Sequence, residues 1–318
     1  MSLAFAFPGQ GSQSVGMLSA LGAAKPLVGQ TFAEASDVLG YDLWQLCQQG
    51  PESDLSATER TQPAMLAAGV ATWRVWLAHG GPRPVAMAGH SLGEYSALVA
   101  SNALEFRTAV ETVRYRGQVM QQAVPQGQGA MAAILGLDDA DVEAACRDAE
   151  QGEVVEAVNF NAPGQVVIAG NATAVQRAID GAKSRGAKRA VLLPVSVPSH
   201  SRLMVKAAEQ LATRLASVDV KLPDVRAVYT VDVKTHSTAA GIREALRQQL
   251  FRPVRWADTV RAMLASGVTT IVECGPGKVL TALNKRIEKR PDLSMVAADD
   301  PDSLAAALKL CQEKHHAQ

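Results

Sequence analysis

The local pattern that decides the fold of this chain is VAMAGHSLGEYSAL, residues 85–98. Its first four residues form a short apolar run that is typical of a buried strand. Glycines follow that permit a tight turn, and the next segment has the composition of a helix. A strand, a sharp turn and a helix, with a serine at the centre of G-x-S-x-G, predict that the hydroxyl of Ser91 is exposed above the positive end of a helix. The alternative is a serine that caps an ordinary helix.

Short apolar runs alternate with helical patterns on both sides of this segment. Leu3–Phe7 and Thr269–Val272 are further candidate strands. Residues Gln62–His79 carry apolar side chains at steps of three and four, which is the spacing of one helix face. Such alternation predicts an α/β fold with a mainly parallel sheet.

The middle of the chain has a different order of elements. The predicted elements there are the strand Ala130–Leu135, the helix Asp138–Ala149, the strands Val154–Val158 and Gln165–Ala169, the helix Asn171–Arg185 and the strand Arg189–Leu193. The order β-α-β-β-α-β is the ferredoxin-like pattern. We therefore expect a small inserted domain at residues 127–196, between the two parts of a larger domain, 1–126 and 197–318.

Composition narrows the class of protein. A length of 318 residues suits about two domains, and 47% hydrophobic with 19% charged residues excludes disorder for most of the chain. Lys+Arg and Asp+Glu both total 31, which argues against a nucleic-acid binder with a strongly basic surface. No run reaches the roughly 18 apolar residues of a membrane helix, and Met1–Phe7 lacks the basic lead of a secretory signal. Four scattered cysteines suggest reduced thiols in a cytoplasmic protein and no metal site.

A serine hydroxyl is a poor nucleophile at neutral pH, so Ser91 needs a base. Of the six histidines, His200 lies where the inserted domain returns to the larger one, and clefts form between domains. The others lie at a helix end, in a polar stretch or in the C-terminal tail, except His90. That residue neighbours Ser91, and tight turns usually send adjacent side chains apart. Elimination favours His200 as the base, and the alternative is a packed or solvated histidine.

The partner that would orient His200 is less evident. Every acid between Ser91 and His200 falls in a surface-like helix or turn, so none is an obvious third member of a triad. We therefore predict a Ser–His dyad in which a neutral acceptor, such as a backbone carbonyl, holds the imidazole. A dyad still permits proton transfer in both directions.

Two further features could bind a substrate. The loop FPGQGSQ, residues 7–13, follows the first strand, so the backbone N–H of Gln10 could form an oxyanion hole with that of Leu92. The alternatives are a plain turn or a phosphate loop, although no Gly-Lys-Ser/Thr follows. Arg114 or Arg116 could hold a substrate carboxylate in a bidentate contact, and the alternative is that both are solvated.

Seven motifs, in this order along the chain, are FAFPGQGSQ (5–13), GHSLGEYSAL (89–98), Arg116-Gly117, VNFNAPGQ (158–165), PVSVPSH (194–200), Gln249-Leu250 and GPGKVL (275–280). Together they resemble the malonyl-CoA:acyl carrier protein transacylases of bacterial type II fatty-acid synthesis over nearly the whole chain. The resemblance implies an α/β-hydrolase-like large domain with a parallel sheet, plus an inserted ferredoxin-like small domain.

The same resemblance implies roles for individual residues. Ser91 would be the nucleophile and His200 the base, with the main-chain carbonyl of Gln249 orienting the imidazole. The N–H groups of Gln10 and Leu92 would form the oxyanion hole. Arg116, rather than Arg114, would receive the malonyl carboxylate.

The resemblance also implies an activity. The malonyl group of malonyl-CoA would move to the pantetheine thiol of acyl carrier protein through a malonyl-serine ester, with no cofactor and with the chain as a monomer. Three alternatives stay open. One is a malonyl transferase that serves a malonate decarboxylase or a polyketide carrier, another is a serine esterase or thioesterase, and the third is a non-catalytic scaffold.

Overall fold

A computed structural model describes residues 2–195 and 197–316 of the chain. Ser196, the expected last residue of the inserted domain, lies outside the described residues, as do Met1, Ala317 and Gln318. No described helix has both the length and the apolar character needed to cross a membrane.

The described residues form two sheets surrounded by helices. The strands are β1 Leu3–Phe7, β2 Ala86–Gly89, β3 Gly129–Leu135, β4 Val155–Ala162, β5 Gln165–Asn171, β6 Arg189–Leu192, β7 Arg226–Val228, β8 Thr270–Glu273 and β9 Ser294–Ala297. The helices are α1 Ser19–Ala24, α2 Pro26–Leu39, α3 Leu43–Gln49, α4 Glu52–Leu55, α5 Thr58–Ala78, α6 Gly93–Ala100, α7 Phe106–Ala123, α8 Asp139–Ala149, α9 Ala172–Ser184, α10 Val205–Ala216, α11 Ala239–Gln249, α12 Trp256–Ala265, α13 Val279–Ile287 and α14 Pro301–His316, with a 3-10 helix at Arg202–Met204.

The larger sheet is parallel, as the sequence predicts. Its five strands lie in the order β7-β2-β1-β8-β9, and every neighbouring pair is parallel. All residues of β1 are buried, which fits a parallel sheet covered on both faces. The carboxyl ends of parallel strands meet at one edge of a sheet. The loops after β1 and β2, which carry Gln10 and Ser91, therefore lie side by side.

The smaller sheet is antiparallel, with the order β4-β5-β3-β6. Helices α8 and α9 pack together against it around a separate apolar core. This is the predicted ferredoxin-like arrangement, while the domain limits of 127 and 196 stay a prediction. The largest difference is in β4, which continues four residues past its predicted end at Val158, while β5 continues two residues past Ala169. Asn159 and Phe160 keep pairing with β5 through two irregularities in register, so the turn shrinks to Pro163-Gly164.

Strand β4 of the smaller sheet is hydrogen-bonded to the segment between α11 and α12. The N–H of Val254 donates to the carbonyl of Val158 over 2.8 Å, and the N–H of Phe160 donates to the carbonyl of Val254 over 2.9 Å. This bridge places β4 beside the segment that follows α11. Gln249, the last residue of α11, is thereby held close to the junction of the two sheets.

Candidate active site

The turn between β2 and α6 has the geometry expected of a nucleophile elbow. Ser91 has a φ of 51°, a left-handed conformation that is uncommon outside glycine. A Cβ on Gly89 would lie 1.9 Å from the carbonyl carbon of Gly93, and a Cβ on Gly93 would lie 2.1 Å from the carbonyl oxygen of Phe7. Only glycine fits at either position, which gives the steric reason for both glycines of G-x-S-x-G.

Ser91, His200 and Gln249 form a continuous hydrogen-bonded chain. The Oγ of Ser91 lies 2.9 Å from Nε2 of His200, and Nδ1 of His200 lies 2.6 Å from the main-chain oxygen of Gln249. A carbonyl oxygen can only accept, so Nδ1 carries the proton and Nε2 is left to accept from the serine hydroxyl. Burial, followed by the nearby charge of Arg116, lowers the pKa of His200 to about 3. The imidazole is therefore neutral at physiological pH and able to take a proton.

Arg116 on α7 points at the same hydroxyl. Its Nη2 donates to Oγ of Ser91 over 3.3 Å and to Oε1 of Gln249 over 2.9 Å, while Nη1 donates to Oε1 of Gln62 over 2.8 Å. The side chain is buried, and among the described residues its Nε–H has no acceptor. Arg114 instead donates to the carbonyl of Leu39 and lines a separate surface cavity. Only Arg116 therefore faces the serine.

The loop after β1 packs directly on the elbow. A Cβ on Gly9 would lie 2.3 Å from the carbonyl oxygen of His90, so glycine is needed for this close approach. The N–H groups of Gln10 and Leu92 have no acceptor among the described residues, and both residues line the cavity that contains Ser91. Two unpaired backbone donors next to a nucleophile can hold negative charge on a substrate oxygen.

The cavity itself has a volume of about 370 Å³ and lies between the two sheets. The larger part of the chain contributes Ser91, Arg116 and His200, and the smaller part contributes Met131 and Asn159. His200 thus lies in a cavity lined by residues from both parts of the chain.

His90 also lines this cavity, with its Nε2 2.8 Å from Oδ1 of Asn161. One expectation about a neighbouring side chain is wrong. Glu94 does not have a surface-like setting, since it is only 2% exposed. The signal for its burial is the almost wholly apolar composition of α6 around it, in which every residue except Val99 is buried. Glu94 does not contact His200, so the local geometry is that of a Ser–His dyad in which the main-chain carbonyl of Gln249 holds the imidazole.

The carboxylate of Glu94 has three donors around it. Its Oε1 accepts from the N–H and the hydroxyl of Thr230, both over 2.7 Å, and its Oε2 accepts from Nε2 of Gln249 over 2.5 Å. Burial raises the pKa of Glu94 to about 7 against the opposing effect of these hydrogen bonds. Among residues 2–195 and 197–316, no three His, Cys, Asp or Glu side chains group in a way that could hold a metal ion.

Comparison with known proteins identifies the family of the chain. A family model described as the acyl transferase domain matches residues 4–308. The malonyl CoA-acyl carrier protein transacylase of Escherichia coli O157:H7 is 56% identical over 307 residues, which cover 96% of this chain and 99% of the relative.

Solved structures of similar proteins extend the comparison. A malonyl-transacylase solved in complex with a type II PKS acyl-carrier protein has a TM-score of 0.96 at 54% identity, covering 98% of this chain and 100% of that one. The malonyl CoA-acyl carrier protein transacylase of Coxiella burnetii has a TM-score of 0.95 at 48% identity, covering 97% of each chain. The chain therefore belongs to the malonyl CoA-acyl carrier protein transacylase family of acyl transferases.

Proposed function

We propose that this chain moves the malonyl group of malonyl-CoA to the pantetheine thiol of acyl carrier protein, through an ester on Ser91, for fatty-acid biosynthesis. One observation carries the proposal. The Oγ of Ser91 lies 2.9 Å from Nε2 of His200 and 3.3 Å from Nη2 of Arg116. A base and a carboxylate-binding cation thus meet at one hydroxyl. Malonyl suits this arrangement because a single methylene separates its carboxylate from its thioester carbonyl.

The first half-reaction acylates the serine. Nε2 of His200 takes the proton of Ser91 as Oγ attacks the thioester carbonyl carbon. The N–H groups of Gln10 and Leu92 hold the charge that develops on the carbonyl oxygen. The C–S bond then breaks, and the imidazolium gives its proton to the departing CoA sulfur. The carbonyl of Gln249 keeps the ring oriented and stabilises its charged form through Nδ1–H.

The second half-reaction reverses these roles. His200 takes the proton of the pantetheine thiol, and the sulfur attacks the carbonyl carbon of the malonyl-Ser91 ester. The C–O bond breaks and Ser91 recovers a proton from His200. Every proton and electron pair is supplied by the protein or the two thiols, so the reaction needs no cofactor.

The identity of the carrier has a second candidate. The similar malonyl-transacylase solved with a type II PKS acyl-carrier protein favours a polyketide carrier as the alternative acceptor. We assign the reaction to the cytoplasm, since Cys47, Cys146 and Cys274 are buried free thiols. We also expect a monomer to suffice, because one chain supplies every group named in the two half-reactions.

Mass spectrometry of the intact protein tests the proposal. Incubation with malonyl-CoA should add the mass of one malonyl group, and addition of holo acyl carrier protein should move that mass to the carrier. Ser91→Ala should show no gain. The matched control is Ser96→Ala, a buried serine of α6, the helix that follows Ser91, and this variant should still acquire the label. A label that persists in Ser91→Ala would refute the assignment, and release of free malonate instead of malonyl carrier would indicate an esterase.

A further inference from the structure

The buried carboxylate of Glu94 and the buried guanidinium of Arg116 are linked through one side chain. Nε2 of Gln249 donates to Oε2 of Glu94, and Oε1 of Gln249 accepts from Nη2 of Arg116. Burial lowers the pKa of Arg116, and the nearby negative charge of Glu94 opposes that shift. Glu94 is therefore the carboxylate whose charge acts on Arg116, with a single amide between them.

The orientation of this amide matters for the site. A second hydrogen bond from Nε2 of Gln249, 2.9 Å long, reaches the main-chain oxygen of Ser91. The same residue supplies the main-chain oxygen that holds His200. Gln249 thus contacts the nucleophile, the base and the cation. Its contacts with Ser91 and Arg116 require that its amide nitrogen points towards Glu94 and its amide oxygen towards Arg116.

We propose that Glu94 is a positioning residue for malonyl transfer: its carboxylate fixes the side-chain amide of Gln249 in the orientation that holds Arg116 beside Ser91. In its ionised form, above its pKa of about 7, Glu94 has only acceptors, so it accepts the amide NH₂ of Gln249 and cannot bind the amide in the reversed orientation. The inference deepens the proposed function and rests on it. Glu94 itself touches no reacting atom.

Glu94→Gln is a change of nearly constant shape that reverses this constraint. The N–H of Thr230 needs an acceptor, so the new amide presents its oxygen to Thr230 and its NH₂ to Gln249. Two NH₂ groups then face each other, and the amide of Gln249 must rotate. Rotation turns the NH₂ of Gln249 towards the guanidinium of Arg116, which displaces that cation from the position beside Ser91.

The experiment compares transfer of malonyl and acetyl groups from their CoA thioesters to acyl carrier protein. The acetyl group has no carboxylate, so only malonyl transfer depends on the position of Arg116. Glu94→Gln should weaken one charge-assisted contact, that between Arg116 and the malonyl carboxylate. It should therefore lower the malonyl-to-acetyl ratio of kcat/KM by about tenfold. Glu273→Gln is the matched control, because Glu273 is equally buried at the end of β8 but caps α13 instead of contacting Gln249. Its ratio should stay at the wild-type value.

Each outcome decides the proposal. An unchanged ratio in folded Glu94→Gln, whatever the loss in total activity, would make Glu94 merely structural and overturn it. If Glu94→Gln does not fold, the ratio is measured in Thr230→Val, which removes only the hydroxyl donor to Glu94. This variant should lower the malonyl-to-acetyl ratio by a smaller factor. An unchanged ratio in Thr230→Val would also overturn the proposal. Arg116→Ala is measured alongside. If wild type prefers malonyl and Arg116→Ala loses that preference while Glu94→Gln keeps it, this inference fails and the proposed function stands. If wild type transfers no malonyl, the proposed function itself fails.

Discussion

Replacement of Arg116 by alanine gives the sharpest test of substrate selection. The side chain is 2% exposed and its Nη2 lies 3.3 Å from Oγ of Ser91, so a malonyl carboxylate bound to it sits in a site largely shielded from water. A hydrogen bond to a charged group contributes about 1.5–3 kcal/mol, which corresponds to a factor of about 10 to 150. Arg116→Ala should therefore reduce kcat/KM for malonyl transfer by that factor beyond any reduction for acetyl transfer.

The assay follows transfer from malonyl-CoA and acetyl-CoA to acyl carrier protein under the same conditions. Arg114→Ala is the control, because Arg114 lies on the same helix but donates to the carbonyl of Leu39, away from the cavity. It should leave the malonyl-to-acetyl ratio unchanged. Arg116→Lys keeps the charge without the planar fork, so its ratio should fall between those of wild type and alanine. Equal losses for both acyl groups in Arg116→Ala would refute the carboxylate contact.

Two predictions concern stability, each measured by urea unfolding. Gly93→Ala would place a Cβ 2.1 Å from the carbonyl oxygen of Phe7. It should therefore lower the free energy of unfolding by more than about 3 kcal/mol, the upper end for ordinary overpacking. Gly29 lies at an exposed position of α2 with nothing near an added Cβ, so Gly29→Ala should instead be neutral or stabilising. Similar effects of the two changes would contradict the steric argument. Burial raises the pKa of Glu273 to about 7, well above that of an exposed glutamate, so this carboxyl favours folding at low pH and its contribution is lost as the pH rises towards 7. The unfolding free energy of Glu273→Gln minus that of wild type should thus increase between pH 5 and pH 7, by at most about 1.4 kcal/mol per pH unit. A difference that stays constant over this range would show that Glu273 does not titrate between pH 5 and pH 7.

Several parts of the site are encoded in contiguous residues. The turn at Ser91 follows from G-x-S-x-G, because the two glycines are needed for contacts within a few residues and with the neighbouring strand. The parallel sheet and the β-α-β-β-α-β order follow from hydrophobic periodicity, which depends on local spacing. The end of β4 is missed, since pairing with β5 overrides the turn composition of residues 159–162.

Helix α7, which carries Arg114 and Arg116, shows what the local sequence pattern cannot predict. Residues two apart on an α-helix point to nearly opposite faces. Periodicity alone says that only one of Arg114 and Arg116 can face a cleft, but it does not say which, because that depends on where the cleft lies. The structure places Arg116 towards Ser91 and Arg114 towards Leu39. The family resemblance, not the spacing, selects Arg116 from sequence.

The sequence by itself determined the fold class, the serine at the elbow and the loop that packs on it, because short-range sterics and hydrophobic period act between near neighbours. Only the tertiary structure decided that Glu94 is buried and that the amide of Gln249 lies between Glu94 and Arg116. Those contacts join residues 155 and 133 positions apart. Their geometry depends on how α6, α7 and α11 pack together, which no local pattern specifies.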